Sequence, residues 1–438
     1  MNAAVQRTET DVACTACGCV CDDLTLQFEG DLITQVGPDC PLAAAWFEPF
    51  RRPMTAGHKV QGQPAELEEA IAQAAEILAQ SHAPLIYGLS RSSSPGQRAA
   101  VALAEQIGAT IDTTASVCHG PSIMAIQMVG ESTSTLGEIR ERADLVLFWG
   151  ANPVVSHPRH FERYSVDPVS ELLPRGRADR HVIVLNDHAN ETALAAHQFV
   201  LVPEGQDYEL ITRLRALTHN PQAEVHPLGE LTVDAIRKLA GQLASCRYGV
   251  VFFGLGLAQS RLGHLVVAEL LRLVADLNAR TRFVARRLRI PGDVAGADSI
   301  LCWQTGFPFA VNLGRRHPRY NPGEFSAEGL LERGEVDCCL MIGSESLNDF
   351  SPQARQQLAT IPLISLDYPH VRSIVPAQVR ITTAVYGVHR SGTAYRMDEV
   401  PLPLRALCHS SLPSDETVLQ TLQHRLAGTV PQPPILRR

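Results

Sequence analysis

The run Thr114-Ala115-Ser116-Val117-Cys118-His119-Gly120-Pro121 sets a thiol beside an imidazole, between a β-prone segment and a Gly-Pro turn. A thiolate is a soft ligand for a transition metal, and a neighbouring histidine can relay a proton to whatever that metal holds. The bland alternative is a small buried apolar residue, the usual fate of an isolated cysteine. Context lifts Cys118 above it: the residue follows a strand, precedes a turn and adjoins His119. Cysteine-protease chemistry uses the same pair, but from separate elements with the base facing the sulfur, whereas adjacent residues point apart.

A second constellation is Cys14-x2-Cys17-x3-Cys21 followed by Cys40. Three thiolates on one tight loop and a fourth from a distance suit a four-iron cluster. Structural zinc also takes four cysteines, but commonly as two paired knuckles, so a cluster is favoured over zinc and either over unligated thiols. Cys19 is an extra thiol inside the loop, and the negative charge of Asp22-Asp23 would lower the potential of a cluster. Weaker signals follow. His157-Pro158-Arg159-His160 offers two imidazoles without an evident third ligand, so satisfied loop histidines are the commoner reading. Arg286, Arg287 and Arg289 are either a solvated cluster or guanidiniums that bind a carboxylate or phosphate. Gly254-x-Gly256 hints at a phosphate loop but lacks the third glycine of a dinucleotide fingerprint.

The elements that must position these residues alternate. Buried-strand runs at 84–88, 144–150, 181–186, 248–254, 338–343 and 362–367 are separated by helical periodicity at 65–80, 96–107, 207–217, 232–245 and 263–277. That alternation predicts parallel sheets covered by helices on both faces. Ligands gather at the carboxyl ends of such strands, which makes Gly150 and Asn152 in WGANP, and Gly254 and Gly256 in FGLGL, candidate cofactor contacts. The expected organisation is a Cys-rich head at 1–55 with a hairpin turn at Glu29-Gly30, a discontinuous α/β domain at 56–125 and 300–410, a second α/β domain at 126–299, and a mobile tail at 411–438 with one weak helix at 415–426. Residues 291–325, rich in Gly and Pro, read as a long loop.

Composition excludes several classes. A net charge of −8 over 438 residues, with no Lys/Arg-rich run, argues against a nucleic-acid surface. No apolar run of about 18 residues predicts a membrane span, and the N-terminus shows no secretory apolar region. The 11 cysteines therefore read as thiols or metal ligands of a cytoplasmic protein rather than a disulfide framework. Only Lys59 and Lys238 are lysines among 38 basic residues, a bias that reflects a GC-rich genome rather than mechanism.

The stretches CTACGCVCDD, TASVCHGPS, RADLVLFWGANP with HPRH, FFGLG, PRYNPGE (318–324) and GTAYRMDEVP (392–401) together resemble the B subunit of formylmethanofuran dehydrogenase, from about Cys14 to Pro403. The resemblance implies a formate dehydrogenase-like fold of several Rossmann-like domains, with the 126–299 domain of the pterin-dinucleotide type. It implies a [4Fe-4S] cluster on Cys14, Cys17, Cys21 and Cys40, and tungsten or molybdenum, held by a bis(pterin guanine dinucleotide), ligated by Cys118. His119 and Arg287 would flank that metal, with His119 as proton donor or acceptor during two-electron interconversion of formate and carbon dioxide. The chain departs from the pattern. Pterin-binding members show Asp-Pro-Arg-x-Thr where this chain has Asn186-Asp187-His188-Ala189-Asn190, and often acidic residues in place of His389-Arg390-Ser391. The barrel domain of larger relatives is also missing after 410, being a separate subunit in the family. A second expectation follows: a non-redox scaffold in the bacterial formyltransferase/hydrolase complex, which converts formyl-tetrahydromethanopterin to formate through a methanofuran analogue. Either reading implies partner subunits, among them an amidohydrolase, a formyltransferase and the family's C subunit.

Overall fold

The computed structural model describes residues 6–53 and 57–428. The buried runs of the sequence become the centres of two sheets. Leu145–Trp149 and Tyr248–Phe253 are buried at every position, as strands covered on both faces must be. They lie side by side in a five-stranded, all-parallel sheet, ordered Gln198–Leu201, His181–Asn186, Leu145–Trp149, Tyr248–Phe253, Arg282–Arg287. The chain builds outward in one direction from Leu145–Trp149 and then resumes on its other side. The switch point, where ligands bind in such sheets, therefore falls between the carboxyl ends of Leu145–Trp149 and Tyr248–Phe253.

A nine-stranded sheet repeats the scheme. Its parallel centre runs Thr110–Thr113, Pro84–Gly88, Cys338–Ile342, Leu363–Asp367, Val379–Thr382, with short antiparallel strands at both edges. Its order reverses beside Pro84–Gly88, so its own switch point faces the loop from Gly88 to Ser94. At the N-terminal end Gln6–Val12, Leu24–Glu29 and Leu32–Gly37 form an antiparallel meander, with Gly30 at φ +63° in the tight turn. A two-stranded ribbon joins Gly392–Tyr395 to Pro401–Leu404. Among the described residues no helix is long and apolar enough to cross a membrane.

Two sequence expectations fail for the same reason, tertiary burial. The 291–325 stretch contains the helix Val294–Thr305, started by Asp293, whose carboxylate accepts from Gly296 N. It buries Val294, Ala297, Ile300 and Leu301 and packs on the helix Ser94–Ile107. The 411–438 tail is not a loose end through residue 428. Its helix Asp415–Leu426 buries Val418, Leu419, Leu422 and Leu426 against Ser94–Ile107 and Leu67–Gln80. Residues 429–438 lie outside the described part.

Candidate cofactor sites at the sheet ends

Two cavities meet at the switch point of the five-stranded sheet. The larger, about 680 Å³, runs over the strand ends past Asn186, Asp187, Asn190, Glu204 and Asp207. The smaller, about 250 Å³, holds Cys118, His119, His157, Gly254 and Leu288. Gly150, Ala151, Asn152 and Leu255 line both, so the two form one continuous cleft. Its floor depends on glycine. Gly150 sits at φ +58°, and a Cβ there would strike Leu257 and Gly256. A Cβ on Gly254 or Gly256 would in turn strike Gly150, so the turns after the two central strands interlock. Asn152 is a wall residue rather than a free contact: its oxygen accepts from Thr192 Oγ1 at 2.7 Å and its amide donates to Glu191 at 2.6 Å.

Cys118 ends the short helix Ala115–Cys118, which follows the strand Thr110–Thr113 of the other sheet. The small cavity thus lies between the two sheets. Burial pushes the Cys118 thiol up to about 11, against the pull of the Arg289 guanidinium. A metal binding there must displace a proton. His119 is buried, with Nε2 2.9 Å from the Leu288 carbonyl and Nδ1 3.2 Å from Ser122 Oγ. That pairing fixes a neutral ring that donates from Nε2. Burial, then Arg289 and Arg287, hold its pKa well below the usual histidine value.

The arginines divide their roles. Neither Arg287, 3.4 Å from Glu399, nor the still more deeply buried Arg289 lines the small cavity. Arg289 is the guanidinium whose charge acts first on both Cys118 and His119. Its Nη2 is 2.5 Å from Asp298 Oδ2, and Asp298 Oδ1 accepts from Thr113 Oγ1 at 2.8 Å. Nearby, the Tyr87 and Thr114 hydroxyls are buried without a hydrogen-bond partner at the carboxyl ends of Pro84–Gly88 and Thr110–Thr113. Orphaned groups at a strand end fit a polar ligand laid between the sheets.

At the far end of the cleft the sequence reading missed Glu204, Asp207 and Arg261. Asp207 Oδ1 accepts from the Trp149 indole at 2.7 Å, which leaves its second oxygen to the cleft, and burial raises its pKa. The signal was present in Pro203-x-Gly205-x-Asp207, a turn just after the edge strand Gln198–Leu201. Asp187 is half exposed and carries His188 at 2.6 Å. The acidic lining supplied by Asp187, Glu204 and Asp207 suits the amine-bearing edge of a purine base, while Arg261 is the one guanidinium of the lining able to meet a phosphate.

The cysteine loop forms a separate pocket. Cys14, Cys17, Cys19, Cys21 and Cys40 line one small cavity together with Pro158 and Arg159. Among the described residues no three Cys, His, Asp or Glu converge as one bound ion requires. A single zinc needs four ligands at about 2.0–2.3 Å from one point. A four-iron cluster gives each thiolate its own iron, and the donor set around this cavity, Cys14, Cys17, Cys21 and Cys40, has the four thiols such a cluster takes. Arg159 grips Asp23 through both of its terminal nitrogens, at 2.7 and 2.8 Å, and Arg163 pairs with Asp22 and Asp23. The Asp22-Asp23 charge, read from sequence as lowering a potential, is therefore largely neutralised. A hydrogen bond from Cys19, then Arg163 and Arg159, bring the Cys21 thiol down to about 7 despite burial. In the HPRH stretch His157 is satisfied by Ser156 Oγ at 2.8 Å and the Arg289 carbonyl at 2.9 Å. His160 bonds Ser165 through Nδ1, while its Nε2 has no partner.

No protein-family model matches the chain. It is 38% identical over 402 residues to the B subunit of tungsten-containing formylmethanofuran dehydrogenase 2 of Methanocaldococcus jannaschii, covering 90% of this chain and 92% of that protein. The namesake from Methanococcus maripaludis is 35% identical over 421 residues, with 94% and 97% coverage. The B subunit of the formyltransferase/hydrolase complex of Methylorubrum extorquens is 30% identical over 289 residues, with 65% and 74% coverage. Among solved structures, the formyltransferase/hydrolase complex of Methylorubrum extorquens with methylofuran aligns at TM-score 0.70 and 26% identity, over 84% of this chain and 98% of that one. Acetylene hydratase of Pelobacter acetylenicus aligns at TM-score 0.67 and 12% identity, over 96% and 69%, a likeness of fold alone. On the extent and identity of these alignments, the chain belongs to the formylmethanofuran dehydrogenase B-subunit family.

Proposed function

We propose that this chain is the redox subunit of a cytoplasmic formylmethanofuran dehydrogenase-type complex, interconverting formate and carbon dioxide at a Cys118-ligated tungsten or molybdenum pterin. The observation that carries this is the continuous cleft from the Cys118 thiol to the acidic lining at Asp207. The tungsten-containing relatives, aligned over nearly the whole chain, support it. When bound, the metal pterin would supply a two-electron acceptor. Cys14, Cys17, Cys21 and Cys40 would hold a [4Fe-4S] cluster as the next electron carrier.

The chain's own residues define the rest. Arg289, paired to Asp298 and behind the lining of the small cavity, is the first charge felt by Cys118 and His119, and Arg287 adds to it at His119. Val155, Leu255, Leu288 and Ile290 give the cavity apolar walls, of which only Leu288 is buried. His119 enters as a neutral ring: accepting a proton at Nδ1 requires that Ser122 Oγ turn its hydrogen away and works against the burial and the Arg289 and Arg287 charges that hold its pKa down.

A second reading, a non-redox scaffold in a formyltransferase/hydrolase complex, is favoured by the likeness to that complex and by Asn186 and His188 where pterin binders carry an aspartate and an arginine. In both readings the chain works among partner subunits, as its Methylorubrum relative does. Elemental analysis of the purified complex, with viologen-linked formate oxidation, separates them. Tungsten or molybdenum near one per chain, and loss of formate oxidation in C118S, are expected. A metal-free complex whose C118S variant keeps full formyl-transfer activity would establish the scaffold instead.

A further inference from the structure

Two parts of the molecule converge on one backbone oxygen. The Arg289 carbonyl accepts the Gly18 amide of the cysteine loop at 3.1 Å and His157 Nε2 at 2.9 Å. A carbonyl has two lone pairs, so both bonds are accommodated. The approach is tight: a Cβ on Gly18 would collide with the Arg289 carbonyl, and one on Gly292 with the Thr15 carbonyl. The Arg289 carbonyl can only accept, so the proton of the neutral His157 ring sits on Nε2; Nδ1, 2.8 Å from Ser156 Oγ, shares the single hydroxyl hydrogen with the Asn152 carbonyl at 3.0 Å. The three residues 157–159 also span both cavities. His157 lines the one that holds Cys118, while Pro158 and Arg159 line the one that holds the cysteines.

We propose that His157 is the positioning residue that bridges the two cofactor cavities, carrying electronic coupling through Nε2–H···O=C of Arg289···H–N of Gly18. Gly18 follows Cys17 directly, so the route ends one residue from a candidate cluster ligand. The inference rests on the redox reading above. Formate losing its C–H proton to a base yields carbon dioxide and two electrons. With both cofactors bound, these would leave the Cys118 cavity one at a time along this route toward the cluster that Cys14, Cys17, Cys21 and Cys40 would hold, and from there go to an external one-electron acceptor.

The test uses the purified complex and two variants, with iron and tungsten or molybdenum measured first in each. In H157Q the amide reaches the same carbonyl and accepts from Ser156; in H157F the donor is gone. With metal contents equal to wild type, H157F is expected to slow reduction of the cluster by formate severalfold in stopped-flow absorbance. The Gly18 N–H keeps its own bond to the Arg289 carbonyl in H157F, so its hydrogen exchange should rise only as that carbonyl loses the hold of His157, by up to about fivefold, the weight of one net hydrogen bond. H157Q is expected to keep wild-type values in both. Should H157F fail to fold or load, H157N, whose shorter amide stops short of the carbonyl, takes its place. Cluster reduction at wild-type rate in a loaded H157F or H157N overturns the bridge, as does an H157Q as slow as H157F. A wild-type complex with neither iron nor heavy metal overturns the cofactor reading itself, and the bridge with it; the metal measurement tells the two failures apart.

Discussion

Asp298→Asn probes the centre of the site. The Arg289–Asp298 pair is 2.5 Å apart with side chains 2% and 9% exposed, so neither charge has water to fall back on. Removing one partner of such a pair leaves an uncompensated buried charge and costs about 3–5 kcal/mol. The single asparagine oxygen can still accept from Arg289 while the new NH2 turns to Thr113 Oγ1, which can accept, so the lower end, about 3 kcal/mol, is expected in urea denaturation followed by tryptophan fluorescence. The same substitution acts on Cys118 with a definite sign. Asp298 raises the Cys118 thiol and Arg289 lowers it. D298N should therefore bring the thiol below about 11 and speed its alkylation by iodoacetamide at pH 8–9, whereas R289M should slow it. Opposite directions matter, because mere loosening of the cavity would speed both. The double variant R289M/D298N should lose less than the sum of the singles, since removing both charges leaves none stranded. A D298N cost below about 1 kcal/mol, or alkylation faster in both single variants, refutes the buried-pair argument.

Three further outcomes follow from the packing. Leu422→Ala, at a fully buried position of the C-terminal helix, should cost about 2–5 kcal/mol; a mobile tail would lose almost nothing. Cys19→Ala removes the thiol that holds the Cys21 sulfur down to about 7, so in metal-free protein the pH profile of Cys21 alkylation should move upward. Burial brings His157 down to about 4, below the unfolded value near 6.5, so the unfolded chain binds the proton more readily. Stability should then rise with pH across that window and be lost as pH falls through it, by up to ~3 kcal/mol from this residue. Chemical denaturation at pH 4.5 and 7 should show a shallower pH dependence in H157Q, and an unchanged one would contradict the burial argument.

What the sequence disclosed was governed by how local each signal is. The central strands were legible because a strand buried on both faces is a continuous apolar run, as in Tyr248–Phe253, and needs no partner to be recognised. The glycines after those strands were legible for the same reason: they sit where apolar runs end. The helix Val294–Thr305 was not, because VAGADSILCWQT sits between Gly- and Pro-rich flanks and is held by an Asp293 cap and a neighbouring helix far away in sequence. The division of labour among Arg286, Arg287 and Arg289 was also hidden. It is decided by Glu399 and Asp298, partners that spacing along the chain cannot assign. Asp207 was missed because its role appears only when the edge strand lies down beside Leu145–Trp149 and the Trp149 indole reaches it.

The segment from Arg286 to Asp293 gathers these long-range partners into one strap. Arg286 donates to Thr133 Oγ1 and the Met397 carbonyl, and the Leu288 carbonyl accepts from His119. The Arg289 carbonyl accepts from His157 and Gly18, and Asp293 accepts from Gln97, Gly296 and the Tyr395 amide. The strap leaves the five-stranded sheet at Arg287, crosses the cysteine loop and enters the helix packed on the nine-stranded sheet. Much of what it offers the two histidines and the loop is backbone carbonyl, whose position depends on the strap's path rather than on its side chains. A displacement of that path would move the Arg289 charge, the His119 ring and the Gly18 amide together. The cavity at Cys118 and the cavity of the cysteine loop are in this sense a single mechanical unit, and changes that loosen one should register in the other.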